Sequence, residues 1–99
     1  MGIRDKLLVR SGVFANESKA SYAISIFDTL KKSRVLLSGD GTYSIEDFPK
    51  YLTERCGVDP KYTEKAIELL KEENLGELAR KVEIVKIRKK LSEFGTKSY

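Results

Sequence analysis

Apolar residues recur at helical spacing through most of the chain. Between residues 17 and 34 they follow each other at intervals of three and four, which places them on one face of a helix. The members of this stripe are Ala20, Ala23, Ile24, Phe27 and Leu30. Asn16 or Ser18 can cap the N-terminus, and basic residues near the end complement the helix dipole. We therefore predict a helix over residues 17–34, preceded by a shorter helix that ends before Gly12.

A third helix is predicted within "SIEDFPKYLTERCG", residues 44–57. Its apolar stripe consists of Ile45, Phe48, Leu52 and Cys56. Gly57 follows as a terminator. Ser44 with Asp47 resembles a capping box, but that start places Pro49 at the fifth helical position, where a regular helix loses a hydrogen bond. Either the cap lies later, or the first turn is irregular.

The last two predicted helices have clear N-terminal signals. Asp59 is the expected N-cap of the fourth helix and Pro60 its first residue, because proline tolerates the first helical turn. The apolar face of this helix consists of Tyr62, Ala66, Leu69 and Leu70. Asn74 and Glu77 then cap the fifth helix.

The fifth helix has two apolar stripes. The first consists of Leu75, Leu78, Val82 and Val85, and the second of Ile84, Ile87, Leu91 and Phe94. A helix that is apolar on two faces is either deeply buried or makes a contact beyond its own core.

The stretch "LLSGDGTYSIEDFPKYL", residues 36–52, has three interpretations. A calcium loop with Gly41 at its sixth position would put Leu36, which cannot bind a cation, at the first position. It would also put Asp47 at the twelfth position in place of the bidentate glutamate, so a metal site is not expected. A β-hairpin near 35–45 is suggested by Asp-Gly between apolar residues. Since residues 35–47 contain three acids and no basic residue, such a ribbon would repel phosphate. A loop between packed helices is the interpretation that we favour.

Composition and charge narrow the class of protein. The 99 residues are 40% apolar and 34% charged, which is typical of one globular domain. The net charge of +4 is divided into +4 for residues 1–34, −3 for 35–60 and +3 for 61–99. Basic ends and an acidic middle favour surfaces that complement a partner or a second copy over the uniformly basic face of a nucleic-acid binder. The single cysteine favours a reducing, cytoplasmic compartment, and we expect no signal peptide, lipidation or membrane span.

Candidates for catalysis or metal binding are few. The chain has no histidine, so a triad or a histidine metal site of the usual type is not expected. Cys56 lies on an apolar stripe and is interpreted as a buried small hydrophobe. The adjacent carboxylates Glu46–Asp47 and Glu72–Glu73 do not face each other on a helix. We therefore expect a protein that is not an enzyme and needs no cofactor.

Two stretches resemble a known superfamily. "SYAISIFDTLKKSRVLLSGDGTYSIEDFPKYL" resembles the middle helices of death effector domains. "GVDPKYTEKAIELLKEENLGELARKVE" is similar to the last two helices of receptor death domains, including an "NL..LA..I" corner. The corner is matched by Asn74, Leu75, Leu78, Ala79 and Val82. The Arg-x-Asp-Leu motif of death effector domains is replaced by "EENLGEL". Over about residues 21–90, the resemblance implies a death fold of six antiparallel helices, no cofactor, and homotypic assembly.

The sequence thus predicts an all-α, single-domain bundle of five or six helices that acts as a protein-interaction adaptor. Assembly would join an acidic surface of one copy or partner to a basic surface of another. The acidic surface consists of Glu46, Asp47, Glu54 and Asp59, and the basic surface of Arg80, Lys81, Lys86, Arg88, Lys89 and Lys90. The alternative is a small basic helical or winged-helix protein that binds nucleic acid through that last helix.

Overall fold

Helices dominate the structure, a computed structural model that describes residues 2–33, 35–38 and 41–95. Its α-helices are α1 (Ile3–Arg10), α2 (Glu17–Ser33), α3 (Phe48–Cys56), α4 (Thr63–Lys71) and α5 (Leu75–Gly95). The predicted helical class is therefore confirmed, with five α-helices in the described residues. None of the helices in this part of the chain combines the length and the apolar composition that a membrane span requires.

The apolar stripes read from the sequence meet in one core. Phe27 and Leu30 of α2 pack with Phe48 and Leu52 of α3, and the Phe27 and Phe48 rings lie 5.2 Å apart. Cys56 of α3 is also buried, and the other helices add the buried side chains Leu8, Ala66, Leu69, Leu70, Leu78 and Val82. Each apolar stripe therefore reaches the core, apart from the second stripe of α5.

The predicted caps are present at three helix starts. The Asn16 side chain accepts a hydrogen bond from the Lys19 amide at 2.9 Å, and the Asn74 side chain accepts one from the Glu77 amide at 2.9 Å. Asp59 accepts from the Lys61 amide at 2.9 Å. A 3₁₀ turn over Pro60–Tyr62 follows Asp59, so α4 itself begins at Thr63 and not at Pro60.

The start of α3 is irregular, as Pro49 requires. A 3₁₀ turn covers Ile45–Asp47, and the Asp47 carboxylate accepts hydrogen bonds from the Ser44 amide at 3.2 Å and the Ser44 hydroxyl at 3.1 Å. The α-helix begins only at Phe48, which puts Pro49 in its first turn, where a missing N–H costs nothing. At the other end, Gly57 adopts a left-handed φ of +67° and terminates the helix as predicted.

The segment that we interpreted as a loop between α2 and α3 forms a two-stranded hairpin. Strands β1 (Val35–Ser38) and β2 (Gly41–Ser44) are antiparallel, with Val35 opposite Ser44 and Ser38 opposite Gly41. Gly39 and Asp40, between the two strands in the sequence, lie outside the described residues, as does Arg34. The Asp-Gly signal of the alternative interpretation therefore describes this segment better than the loop, because the flanking residues can pair across the turn.

Candidate protein-docking surface on the last helix

The first half of α5 is anchored in the core. Leu78 and Val82 are fully buried and Val85 nearly so, on the side of α5 that packs on α1 and α4. The Arg10 guanidinium is 2.6 Å from the Glu83 carboxylate, which adds a polar link between α1 and α5. Leu75 of the first predicted stripe is largely exposed, so this stripe reaches the core only from Leu78 onward.

The second stripe of α5 faces solvent. Ile84, Ile87 and Leu91 have exposed fractions of 40%, 55% and 64%. At about 100° per residue, these three side chains lie within about 60° of one another and roughly 150° from the core face of the helix. The fourth member, Phe94, has a side chain outside the described part of the structure. We call Ile84, Ile87 and Leu91 the outer stripe. Their exposure is incompatible with deep burial of α5 on both faces, so a contact beyond the core of the protein stays the prediction for this stripe.

Half of the predicted basic surface is engaged in ion pairs within the chain. Arg80 lies 2.6 Å from Glu77, and Lys89 lies 3.3 Å from Glu93. Lys81 reaches back to Glu72 at 2.9 Å and thereby ties α5 to the end of α4. The hydrogen bond from Lys81 lowers the pKa of Glu72 and in turn raises the pKa of Lys81. The hydrogen bond to Glu77 likewise raises the pKa of Arg80.

The other half of the basic surface is unpaired. Lys86, Arg88 and Lys90 have no ion-pair partner within residues 2–33, 35–38 and 41–95. Arg88 is exposed and lies one helical turn after Ile84, beside which it lines the same depression, so its charge borders the outer stripe. Of the six predicted basic residues, Arg88 is therefore the best candidate to bind a charged group of a partner that also contacts the outer stripe.

A groove between α4 and α5 adjoins the outer stripe. It consists of two depressions of about 220 and 310 Å³, which share Lys65, Val85 and Arg88. Leu69, Ile84 and Val85 give the first depression an apolar lining, and Tyr62 lines the second. The charged residues that line the two depressions are Lys61, Lys65, Glu68, Arg80, Lys81 and Arg88. Five cations and one anion therefore surround apolar walls, and Ile84 and Arg88 link the groove to the outer stripe.

The predicted acidic residues lie elsewhere. Glu46 and Asp47 are exposed in the 3₁₀ turn before α3, and Glu54 is exposed on α3 itself. Asp59 has a structural role, because it caps the 3₁₀ turn that precedes α4. It also lines a depression of about 300 Å³ together with Lys89 and Glu93. The structure thus places Asp59 beside a member of the predicted basic surface.

In the same depression, Lys89 is held by neighbours on several sides. Its ammonium lies 5.6 Å from the centre of the Tyr62 ring, and its aliphatic stem passes 3.4 Å from where a Cβ of Gly12 would be. Gly12 has a φ of +83°, a left-handed conformation that favours glycine. Lys89 therefore packs the α1–α2 connection against α5 and is less available to a partner than Arg88.

The described residues include the single cysteine and most of the carboxylates considered for catalysis or metal binding. The Cys56 thiol is buried, and burial raises its pKa to about 11, which keeps it protonated at neutral pH. No group of three or more Cys, Asp and Glu side chains there is arranged to hold a metal ion. Asp40, which the calcium interpretation requires as a ligand, lies outside the described residues, and the Asp47 carboxylate is engaged by Ser44.

Several residues of this surface were not among the site residues predicted from the sequence. Ile84, Ile87 and Leu91 were recognised only as a second apolar stripe, and that stripe is the signal that could have identified them. Lys61 and Lys65 carry no comparable signal, because only the packing of α4 beside α5 brings them to the groove.

Comparison with known proteins gave no match: neither a protein-family model, nor a curated protein, nor a solved structure is similar to this chain. The relationship to the death fold stays a prediction, and the function must be argued from the surface itself.

Proposed function

We propose that this protein is a non-enzymatic interaction module that binds another protein through the outer face of α5. The observation that supports the proposal is the exposure of Ile84, Ile87 and Leu91 in one stripe. Single exposed apolar residues are common on protein surfaces, but a row of aliphatic side chains on one helix face is a feature of helix-mediated protein interfaces.

The nature of the stripe favours protein over nucleic acid. Phosphate binding requires Lys and Arg with polar neighbours, and aliphatic side chains add nothing to it outside the minor groove. The hairpin also does not supply a nucleic-acid-binding wing, because residues 35–44 contain Asp40 and no basic residue. The basic residues of α5 are accordingly assigned to the border of a protein interface, where charge sets orientation and the rate of association.

The proposal changes the mechanism expected from the sequence. Complementary charges alone contribute little, since an exposed ion pair is worth about 0–1 kcal/mol. The aliphatic stripe can supply binding free energy that such pairs lack. Apolar surface contributes about 25 cal/mol for each Å² that binding removes from water. Charge complementarity between an acidic partner and the basic last helix stays part of the proposal, and a death-fold type of assembly stays one form that it can take.

A peptide-display selection on the folded protein tests this function. Random peptides are selected on the wild type, and each binder is then measured on Ile87→Glu and on Ile3→Glu. Ile3 is a matched control, because it is 62% exposed on α1 and lines neither depression of the groove. We expect Ile87→Glu to weaken binding about tenfold or more and Ile3→Glu to leave it unchanged.

Two results would overturn the proposal. One is a set of binders that Ile87→Glu does not affect. The other is binding of oligonucleotides at micromolar protein and about 0.15 M salt that Arg88→Glu removes, since that would make α5 a phosphate-binding surface.

A further inference from the structure

The groove beside the outer stripe is long enough to contact about three turns of a helix. Along α5 it extends from Arg80 to Ser92, about 18 Å at 1.5 Å per residue. Its walls are two helices, α4 and α5, with apolar side chains between them. A groove of this kind accepts an amphipathic helix, whereas an extended peptide is bound along the free edge of a sheet.

The positive charge of the groove favours an occupant with negative charge. Among the residues that the structure describes, five cations line the groove and Glu68 is the one acid. Glu68 lies 3.7 Å from Lys65, so that this acid is already partnered. Lys61 and Arg88 have no ion-pair partner within the part of the chain that the structure describes. A carboxylate above Arg88 would be bound by a guanidinium, the side chain best suited to that geometry.

The same charge argues against a second copy of α5 as the occupant. Residues 80–92 contain six Lys/Arg and one Glu, which is a net charge of +5. Two such faces brought together would repel, because like charges across an interface are unfavourable. The α3 helix of a second copy does not match either, because Lys50, Glu54 and Arg55 give it a net charge of +1. Its apolar residues Phe48, Leu52 and Cys56 are buried in its own core and cannot contact the outer stripe.

We infer that the occupant of this surface is an acidic amphipathic helix of a partner protein, seated over Ile84 with its carboxylates near Arg88 and Lys61. The inference rests on the proposed function and names the chemistry of the partner. Apolar residues of the occupant contact Ile84 and Leu91, and its acidic residues follow the α4 side of the groove.

Three synthetic helical peptides of about 16 residues test the inference by fluorescence anisotropy. All carry the same dye. The first has a leucine stripe flanked by glutamate, the second has the same stripe flanked by lysine, and the third has the composition of the first in a scrambled order without a stripe. We expect binding of the first peptide, weaker by about tenfold or more on Arg88→Glu and on Ile84→Glu.

Charge exchange provides the sharpest readout. Arg88→Glu should gain affinity for the lysine-flanked peptide while it loses affinity for the glutamate-flanked one, because the sign at one position has been reversed. Lys32→Glu is the control variant, since Lys32 is exposed on α2 and lines neither depression. It should leave all three affinities unchanged, and circular dichroism checks that every variant keeps its helices.

The outcomes separate this inference from the proposed function. The glutamate-flanked and lysine-flanked peptides could bind equally well, with affinities that depend on Ile84 but not on Arg88. This result would refute the acidic partner, whereas the proposed docking function of α5 would stand. Equal binding of the scrambled peptide would refute a helical occupant. Self-association in sedimentation that Ile84→Glu abolishes would replace the partner with a second copy. Binding of duplex DNA that depends on Arg88 but not on Ile84 would refute both.

Discussion

Cys56 illustrates how one residue acquires its properties from its position. It lies on the α3 stripe with Phe48 and Leu52, and all three side chains are buried. The sequence predicted this burial, because the spacing of eight residues returns Cys56 to the face of Phe48. The raised pKa follows from burial, which disfavours the thiolate more than the neighbouring Lys19 favours it.

We predict that Cys56 is inert in the folded protein. Relative to the ordinary pKa of 9.0, a pKa of about 11 reduces the thiolate fraction at pH 8 by about 100-fold. Labelling with a thiol reagent should therefore be slow in buffer and fast in concentrated urea. Rapid labelling under native conditions would show that Cys56 is accessible.

Asp59 is predicted to stabilise the fold through its cap. Asp59→Ala removes the acceptor of the Lys61 amide and should lower the free energy of unfolding by about 0.5–2 kcal/mol. Urea denaturation measures the change. Lys71→Ala, an exposed position in the last turn of α4, serves as the control and should have little effect. Equal midpoints for Asp59→Ala and the parent would mean that the cap contributes nothing.

At the scale of the element, local signals predicted the helices well and the hairpin less well. Asn16, Asn74 and Gly57 act through neighbours within a few residues, so their roles could be recognised from the sequence. The hairpin depends on pairing between Val35 and Ser44, nine positions apart, and its apolar residues suit a loop between helices equally well. The irregular start of α3 was one of the two predicted alternatives, because Pro49 disfavours a regular helix there. The 3₁₀ turn before α4 was not predicted.

The junction of α4 and α5 should respond to acid. Glu72 has its pKa lowered from 4.5, mainly by its hydrogen bond with Lys81. A lowered pKa means that the pair contributes stability above about pH 4.5, and that this contribution is lost as the pH falls through the lowered pKa. Carboxyl NMR titration of wild type and Lys81→Met checks this. The variant should show the Glu72 pKa moving back up towards 4.5, and an unchanged titration would mean that the pair does not form in solution.

At the scale of the whole molecule, the candidate site could be predicted only in part. The sequence indicated the basic residues of α5 and its second apolar stripe, because both are properties of one helix. It could not indicate that Ile84, Ile87 and Leu91 stay uncovered, since exposure depends on where α1 and α4 pack. For the same reason it could not assign Lys61 and Lys65 to one groove with Arg88, or show that intramolecular pairs engage Arg80, Lys81 and Lys89.

The central claim is that proteins bind on the outer face of α5. Mapping a bound peptide by ¹H–¹⁵N NMR tests it most directly, because the spectrum reports every amide at once. With the glutamate-flanked peptide, or any peptide from the display selection, we predict the largest shift changes at Ile84, Ile87, Arg88 and Leu91, with smaller changes at Lys61 and Lys65. Changes concentrated around Glu46, Asp47 and Glu54, with α5 unaffected, would contradict the account and move the binding site to α3.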